Sequence, residues 1–309
     1  MIMSNSTNRY KWGLDLGGTK IEGVILDQEH NLDPIIRLRV PTEQQQGYEH
    51  MLGQIQKLIN LMSEKTGLSP KKIGMGTPGT LDPGSRKMKN SNTECINGKP
   101  MLDDIEALTG LEFKFSNDAN CFAVAETLMG CVQDLETVPE VVFGVIMGTG
   151  VGGGLIVNGN VVSGRHGLGG EWGHNVLDQD GVQCYCGKIG CVEKVIAGPS
   201  LERYYAEKTG THKHLKDIAQ LHADNADAAA TETIKYMVSQ FGKGISAIIN
   251  TIDPEVIVLG GGVGNIPDLL EGAADAVRPH IFNDKVETIF LKPKLGDSAG
   301  VFGAALLFE

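Results

Sequence analysis

The sequence predicts an α/β protein built of two similar domains, and three observations lead to that fold class. The chain has 309 residues. A single hydrophobic core stops growing near roughly 250 to 300 residues, so each half is expected to bury its own. A strand, a glycine-rich turn and a second strand occur near Lys11 and again near Val141, which reads as an internal duplication. Strands alternating with helical stretches follow each copy. Each half should therefore carry a sheet opened by a hairpin meander and completed by strands alternating with helices, with a cleft between the halves.

Composition narrows the class of function. Hydrophobic residues make up 41% and charged residues 21%, a globular balance. A net charge of −11 argues against nucleic acid as a partner, because tracking phosphates needs clustered Lys and Arg. No apolar run approaches the roughly 18 residues of a membrane span, and residues 1–10 are polar with no signal-peptide core. A cytoplasmic protein is expected. The 41 glycines exceed the usual ~7% and come in clusters without a period, so they ask for local explanations.

Element by element, residues 12–15 read as a strand, Gly17-Gly18-Thr19 as a turn, and 21–26 and 35–40 as further strands. Strand follows the glycines here, whereas Rossmann and P-loop phosphate loops run into a helix. Tyr48, Met51, Leu52, Ile55, Leu58, Ile59 and Met62 recur at helical spacing, and Gly67 ends that helix. Leu111, Phe113 and Phe115 alternate as a half-buried strand, a helix spans 118–129, and the domain join falls near 130–139. The domains are then 1–130, with a C-terminal helix at about 298–309, and 131–297. In the second copy, 141–147 is a strand, Gly148-Thr149-Gly150 with Gly152, Gly153 and Gly154 a turn, 155–157 a strand, and Asn158-Gly159 a tight turn before Val161. Residues 202–231 read as helical, and Ile234, Met237, Val238, Phe241, Ile245, Ile248 and Ile249 form one stripe that Asp253-Pro254 stops. A strand at 256–259 runs into Gly260-Gly261-Gly262, and 298–307 reads as a Ser-capped helix packing back on the first domain.

Four constellations bear chemistry. Two glycine turns with Thr19, Lys20 and Thr149 offer backbone N–H groups that a polyphosphate can approach where no Cβ intervenes, and Asp15 could place Mg²⁺ through water. Hairpins also need glycine at positive φ, which explains the same residues without a ligand. Asp118, where a strand meets a helix, can accept a hydroxyl proton at the sheet edge that binds ligands, or simply cap the helix. His174, Cys184, Cys186 and Cys191 give H-x9-C-x-C-x4-C, a four-ligand set suited to a closed, structural zinc site rather than a disulfide framework. Cys95, Cys121 and Cys131 are expected only to pack. Glu171 and Glu193 flank the metal ligands, and paired acceptors on a rigid loop suit sugar hydroxyls.

Asp15-Leu-Gly-Gly-Thr-Lys20, Gly76-Thr-Pro-Gly79, Ser116-Asn-Asp-Ala-Asn120, Gly148-Thr-Gly-Val-Gly-Gly-Gly154, Glu171-Trp-Gly-His174, Cys184-Tyr-Cys-Gly-Lys-Ile-Gly-Cys-Val-Glu193 and Gly260-Gly-Gly262 together resemble the ROK family (repressor, ORF, kinase), from Lys11 to Leu307 in order. The resemblance implies the actin-like (ribonuclease H-like) ATPase fold. It also implies a hexose in the interdomain cleft, Mg-ATP as donor, a structural Zn²⁺ and a homodimer. Carried over by position, Asp118 is the general base, and Gly79, Asn92, Asn117, Glu171, His174 and Glu193 are sugar contacts. Asp15, Gly17, Gly18, Thr19, Lys20, Gly148, Thr149, Gly150, Gly152, Gly153, Gly261 and Gly262 fall on the nucleotide side. Repressors of the family carry a DNA-binding domain of some 70 residues before the first motif, and ten residues precede Lys11 here, so a kinase is expected. A zinc-dependent nucleotide oxidoreductase would need an open metal position and a glycine turn entering a helix. Asn-Ser-Asn-Thr and Asn-Gly-x-Pro within residues 89–100 look most like the family's fructokinases, which makes fructose the expected substrate. Glucokinases and N-acetylglucosamine or N-acetylmannosamine kinases are the alternatives.

Overall fold

The structure, a computed structural model, describes residues 9–308. Most of the polar N-terminal stretch read against a signal peptide, and Glu309, lie outside the described residues. The chain forms two compact units. The first takes the chain through Gln133, Val161–Gly169 and the chain from Leu295; the second takes Asp134–Asn160 and Gly170–Lys294.

In the first unit β1 (Tyr10–Leu16), β2 (Lys20–Asp27) and β3 (Asp33–Pro41) form an antiparallel meander, followed by α1 (Tyr48–Thr66) and β4 (Lys72–Thr77). A short hairpin, β5 (Thr80–Leu81) and β6 (Met88–Lys89), precedes α2 (Met101–Thr109), β7 (Glu112–Asn117) and α3 (Asp118–Leu128). The sheet order is β3-β2-β1-β4-β7, with β4 parallel to both neighbours. The stripe Tyr48, Met51, Leu52, Ile55, Leu58, Ile59 and Met62 is the buried face of α1, and Gly67 ends the helix in a left-handed conformation that donates to the Ser63 carbonyl.

The second unit repeats the plan. β8 (Val141–Met147), β9 (Val151–Val157) and β10 (Asn160–Val161) make the meander, and β11 (Val256–Gly260) and β12 (Ile289–Leu291) complete a sheet of order β10-β9-β8-β11-β12. Its helices are α4 (Val192–Ile196), α5 (Gly198–Thr209), α6 (Leu215–Ala223), α7 (Ala228–Ile252), α8 (Gly261–Gly264) and α9 (Pro267–Val277). The core joins Phe143, Val145 and Trp172 to Ile234, Met237, Phe241 and Ile245 of α7. Finally α10 (Ala299–Ala305) packs on α3, β1 and β4 of the first unit, and Val301 and Ala305 close a small core with Val24 and Leu26.

Three expectations need correction. Gly152, Gly153 and Gly154 belong to β9, opposite Ile146, Val145 and Gly144, and not to the turn. The reason is tertiary: a Cβ on Gly153 would lie 2.7 Å from both the Phe143 ring and Trp172, whose indole N–H donates to the Gly152 carbonyl. The 202–231 stretch is broken at Gly210, which is left-handed, and again before α7, whose first amides bond to Asp227. Ser298 makes no side-chain cap bond, because its backbone has already turned helical at φ −94°, ψ −5°.

Candidate active site and cysteine knot

Register assembles the first unit's candidate site. Asp15 on β1 lies opposite Gly76 on β4, which lies opposite Ser116 on β7, so Asp15, Gly76 and the Asn117-Asp118 corner share the carboxyl edge of three parallel strands. Asn117 Oδ1 accepts the Asn120 N–H at 2.8 Å and caps α3. Asp118 is thereby released from capping. Its Oδ1 takes the Ala119 N–H at 2.9 Å. Asp118 keeps a solvent-facing edge but is otherwise crowded by protein, and that desolvation raises its pKa despite the Ala119 bond. Asp15 is pushed up to about 6, chiefly by burial, with repulsion from Asp118 and Glu22 adding to it. The buried Cys121 thiol nearby is held well above its usual range by desolvation and the same two aspartates, which leaves it an inert packing group.

Of the other expected sugar residues in this unit, Asn92 is exposed, and the Asn117 amide nitrogen has no hydrogen bond among the described residues. Gly79 is fixed by its own backbone: φ is +80°, and a Cβ would lie 2.8 Å from the Ser91 nitrogen.

Neither glycine turn uses positive φ. Gly17, Gly18, Gly148 and Gly150 are all outside the left-handed region, so hairpin geometry does not explain them. Gly18 and Gly148 also have room for a Cβ, whose nearest neighbours would stand 3.5 and 4.0 Å away. Glycine there leaves the backbone open to an outside group. Thr19 and Thr149 are exposed beside these glycines. In the second unit β8 and β11 are parallel neighbours, and Gly148 and Gly262 meet at their carboxyl ends, the Gly148 Cβ position lying 4.0 Å from the Gly262 nitrogen. Gly261, left-handed at φ +82°, follows β11 and opens α8.

His174, Cys184, Cys186 and Cys191 converge so that their ligand atoms all lie within 4.8 Å of one another. Cys186 Sγ and Cys191 Sγ are 3.5 Å apart, and Cys184 Sγ is 3.6 Å from His174 Nδ1. These match the edges of roughly 3.5 to 3.8 Å that a tetrahedron of Zn–S and Zn–N bonds requires. None of the cysteines is in a disulfide. Backbone bonds lace the loop: Leu177 and Asp178 amides both donate to the Gly190 carbonyl, and the Gly190 amide donates to Val182. A Cβ on Gly190 would run into the Asp178 backbone, and its φ of +69° suits only glycine. His174, expected both to bind zinc and to contact sugar, has its Nε2 3.0 Å from the Tyr185 hydroxyl. Glu171 sits just before the short 3₁₀ turn Trp172–His174, and Glu193 is buried in the first turn of α4.

The ROK family model matches residues 11–309. The chain belongs to the ROK family. N-acetyl-D-glucosamine kinase of Haemophilus influenzae is 35% identical over 308 residues, covering 96% of this chain and 98% of that protein. The ROK hexokinase of Thermus thermophilus superposes with a TM-score of 0.85 at 31% identity, covering 96% and 97% of the two chains. A ROK glucokinase from Streptomyces griseus, crystallised with glucose and AMPPNP, gives 0.74 at 26% identity, covering 96% and 98%. The fold is the actin-like ATPase fold of that family.

One feature of this ROK chain escaped the sequence reading. Buried Glu22 lies cross-strand from Asp15 and from Arg39, and it bonds Arg37 and, at 2.8 Å, Arg39. Burial works to raise its pKa, but the two guanidinium groups outweigh that and hold it below the usual range. Lys20, only 3.9 Å from Glu22, is a weak third partner and stays half-exposed beside the first glycine turn. A lone acid in the apolar run Ile21 to Leu26, with arginines two apart on the next strand, was the available signal.

Proposed function

We propose that this ROK sugar kinase transfers the γ-phosphoryl of ATP to a hydroxyl of N-acetyl-D-glucosamine. The observation that carries the sugar is the end-to-end similarity, at 32–35% identity, to N-acetyl-D-glucosamine kinases from several bacteria. It favours the N-acetylated hexose over fructose. The loop elements that suggested fructose are occupied otherwise: Asn97 bonds both the amide and the carbonyl of Ser91, at 3.0 and 2.8 Å, and Ser91 Oγ takes the Thr93 amide. Ser91 and Asn97 are thus engaged in shaping the loop, while Asn92 is exposed and stays a candidate sugar contact.

In this reading Asp118 is the general base. Its carboxylate takes the proton as the sugar oxygen bonds to phosphorus and the bond to the ADP oxygen breaks. The two turns, with Thr19, Lys20 and Thr149, hold the phosphates, and Asp15 orients Mg²⁺, which when bound offsets the phosphate charge. Lys20 remains available because Arg37 and Arg39 already satisfy Glu22. His174, Cys184, Cys186 and Cys191 would hold Zn²⁺, which when bound supplies a cross-link and no open coordination position. ADP release measured with N-acetylglucosamine, N-acetylmannosamine, glucose, mannose and fructose, ranked by kcat/KM, tests the substrate. N-acetylglucosamine is expected first; a preference of about tenfold for any other sugar overturns it.

A further inference from the structure

Glu193 has a partner that its place beside the metal ligands does not suggest. The residue is buried and its side chain only 11% exposed, so its carboxylate needs donors. Oε2 accepts the Val151 N–H at 3.2 Å, Oε1 meets Lys194 Nζ at 3.6 Å, and the Glu193 carbonyl accepts Ser200 Oγ at 2.9 Å. Val151 is the residue that closes the Gly148–Gly150 turn. Gly150 lies against the same oxygen, so that a Cβ there would stand 2.7 Å from Oε2. The other end of the turn is held as well, because the Gly198 amide donates to the Gly148 carbonyl at 2.8 Å. Residues 193–198, which start two positions after Cys191, therefore grip both ends of the turn. Meanwhile the Thr149 and Gly150 amides have no acceptor among the described residues.

We propose that Glu193 is a positioning residue for the Gly148–Gly150 turn, and that residues 193–198 carry the order of the cysteine knot to the backbone that meets the donor's phosphates. This rests on the kinase reading above, since the turn matters only if it holds those phosphates. A charged acceptor on Val151 fixes the turn's exit, and Gly150 is glycine because the carboxylate occupies the space of a side chain. The metal knot then serves the donor side as well as the loop that bears Glu171.

The test is calorimetric titration of AMPPNP with Mg²⁺, without sugar, into the zinc-loaded wild type, Glu193→Gln and Glu193→Leu. Removing the sugar separates this role from any contact of Glu193 with substrate. The Leu variant is expected to bind about tenfold more weakly, and the Gln variant, which keeps a neutral acceptor, to lie between. If Glu193→Leu binds AMPPNP as the wild type does, the positioning role is wrong while the kinase reading stands. A wild type that does not bind AMPPNP overturns the kinase reading and this inference with it. Gly150→Ala supplies a second check. Its methyl should weaken AMPPNP several-fold in the wild type and less in Glu193→Ala, where the opposing oxygen is gone. Equal losses in both backgrounds also overturn the proposal.

Discussion

At the scale of single residues, Asp118 shows what a sequence conveys and what it leaves open. Asn117-Asp118 at a strand-to-helix corner marks a sheet edge, but two side chains compete for one cap, and only the fold shows that Asn117 takes it. Asp118→Asn should therefore keep the fold and sugar affinity, measured by thermal melting and sugar titration, while kcat falls by about 10² or more. Near-normal turnover would remove Asp118 from the base role. Asp15 makes a separate prediction through pH. Its carboxyl, raised from 3.8 to about 6 chiefly by burial, must be ionised to orient Mg²⁺. The kcat/KM for Mg-ATP, which reports the free enzyme, is expected to fall as pH drops below about 6, and Asp15→Asn should remove the share of that limb due to Asp15 while the share due to Asp118, whose pKa burial also raises, remains. Stability runs the opposite way. The folded state binds this proton more tightly than the unfolded chain, so Asp15 favours folding least above pH 6, and Asp15→Asn should gain up to about 3 kcal/mol at pH 7 relative to pH 3. Equal denaturation midpoints for the two proteins at pH 7, with the same difference at pH 3, would show that the shift is absent.

At the scale of elements, the cysteine knot was the most legible feature, because ligand identity and spacing are both written in the chain. Its consequences were not. That Glu193 turns toward Val151 depends on the path of residues 176–191, which the doubly accepting Gly190 carbonyl sets and no spacing rule contains. The glycines of β9 misled for a related reason. Consecutive glycines read as a turn by local preference, whereas here they lie within a strand, where Trp172 and Phe143 leave no room for a Cβ on Gly153. Cys186→Ser tests the knot as an element. Three remaining ligands bind zinc weakly, so the metal-to-protein ratio by mass spectrometry should fall from about one toward zero, and the 174–191 loop should become the first site of limited proteolysis. A variant that retains its metal would show that Cys186 is not a ligand.

At the scale of the whole molecule, the duplicated topology was readable because hairpin, glycine turn and parallel strands recur in the same order, and each copy must bury a face of its own. Both sheets do have one order, an antiparallel meander extended by two parallel strands. The substrate was much less readable, and the cause is physical. Phosphoryl transfer makes the same demands of any sugar kinase: open backbone for phosphates, an ionised acid for the cation, a base for the hydroxyl. These demands leave short, strongly patterned motifs. Distinguishing one hexose from another rests on a few hydrogen bonds whose geometry comes from loops, and side chains in such loops serve the loop first, as Ser91 and Asn97 do here. A motif shared with fructokinases can thus report a common loop fold without reporting a common sugar. Similarity summed over the entire chain weighs the packing that sets the loop's position, and it supports an N-acetylated hexose where the twelve residues from Lys89 to Pro100 suggest fructose.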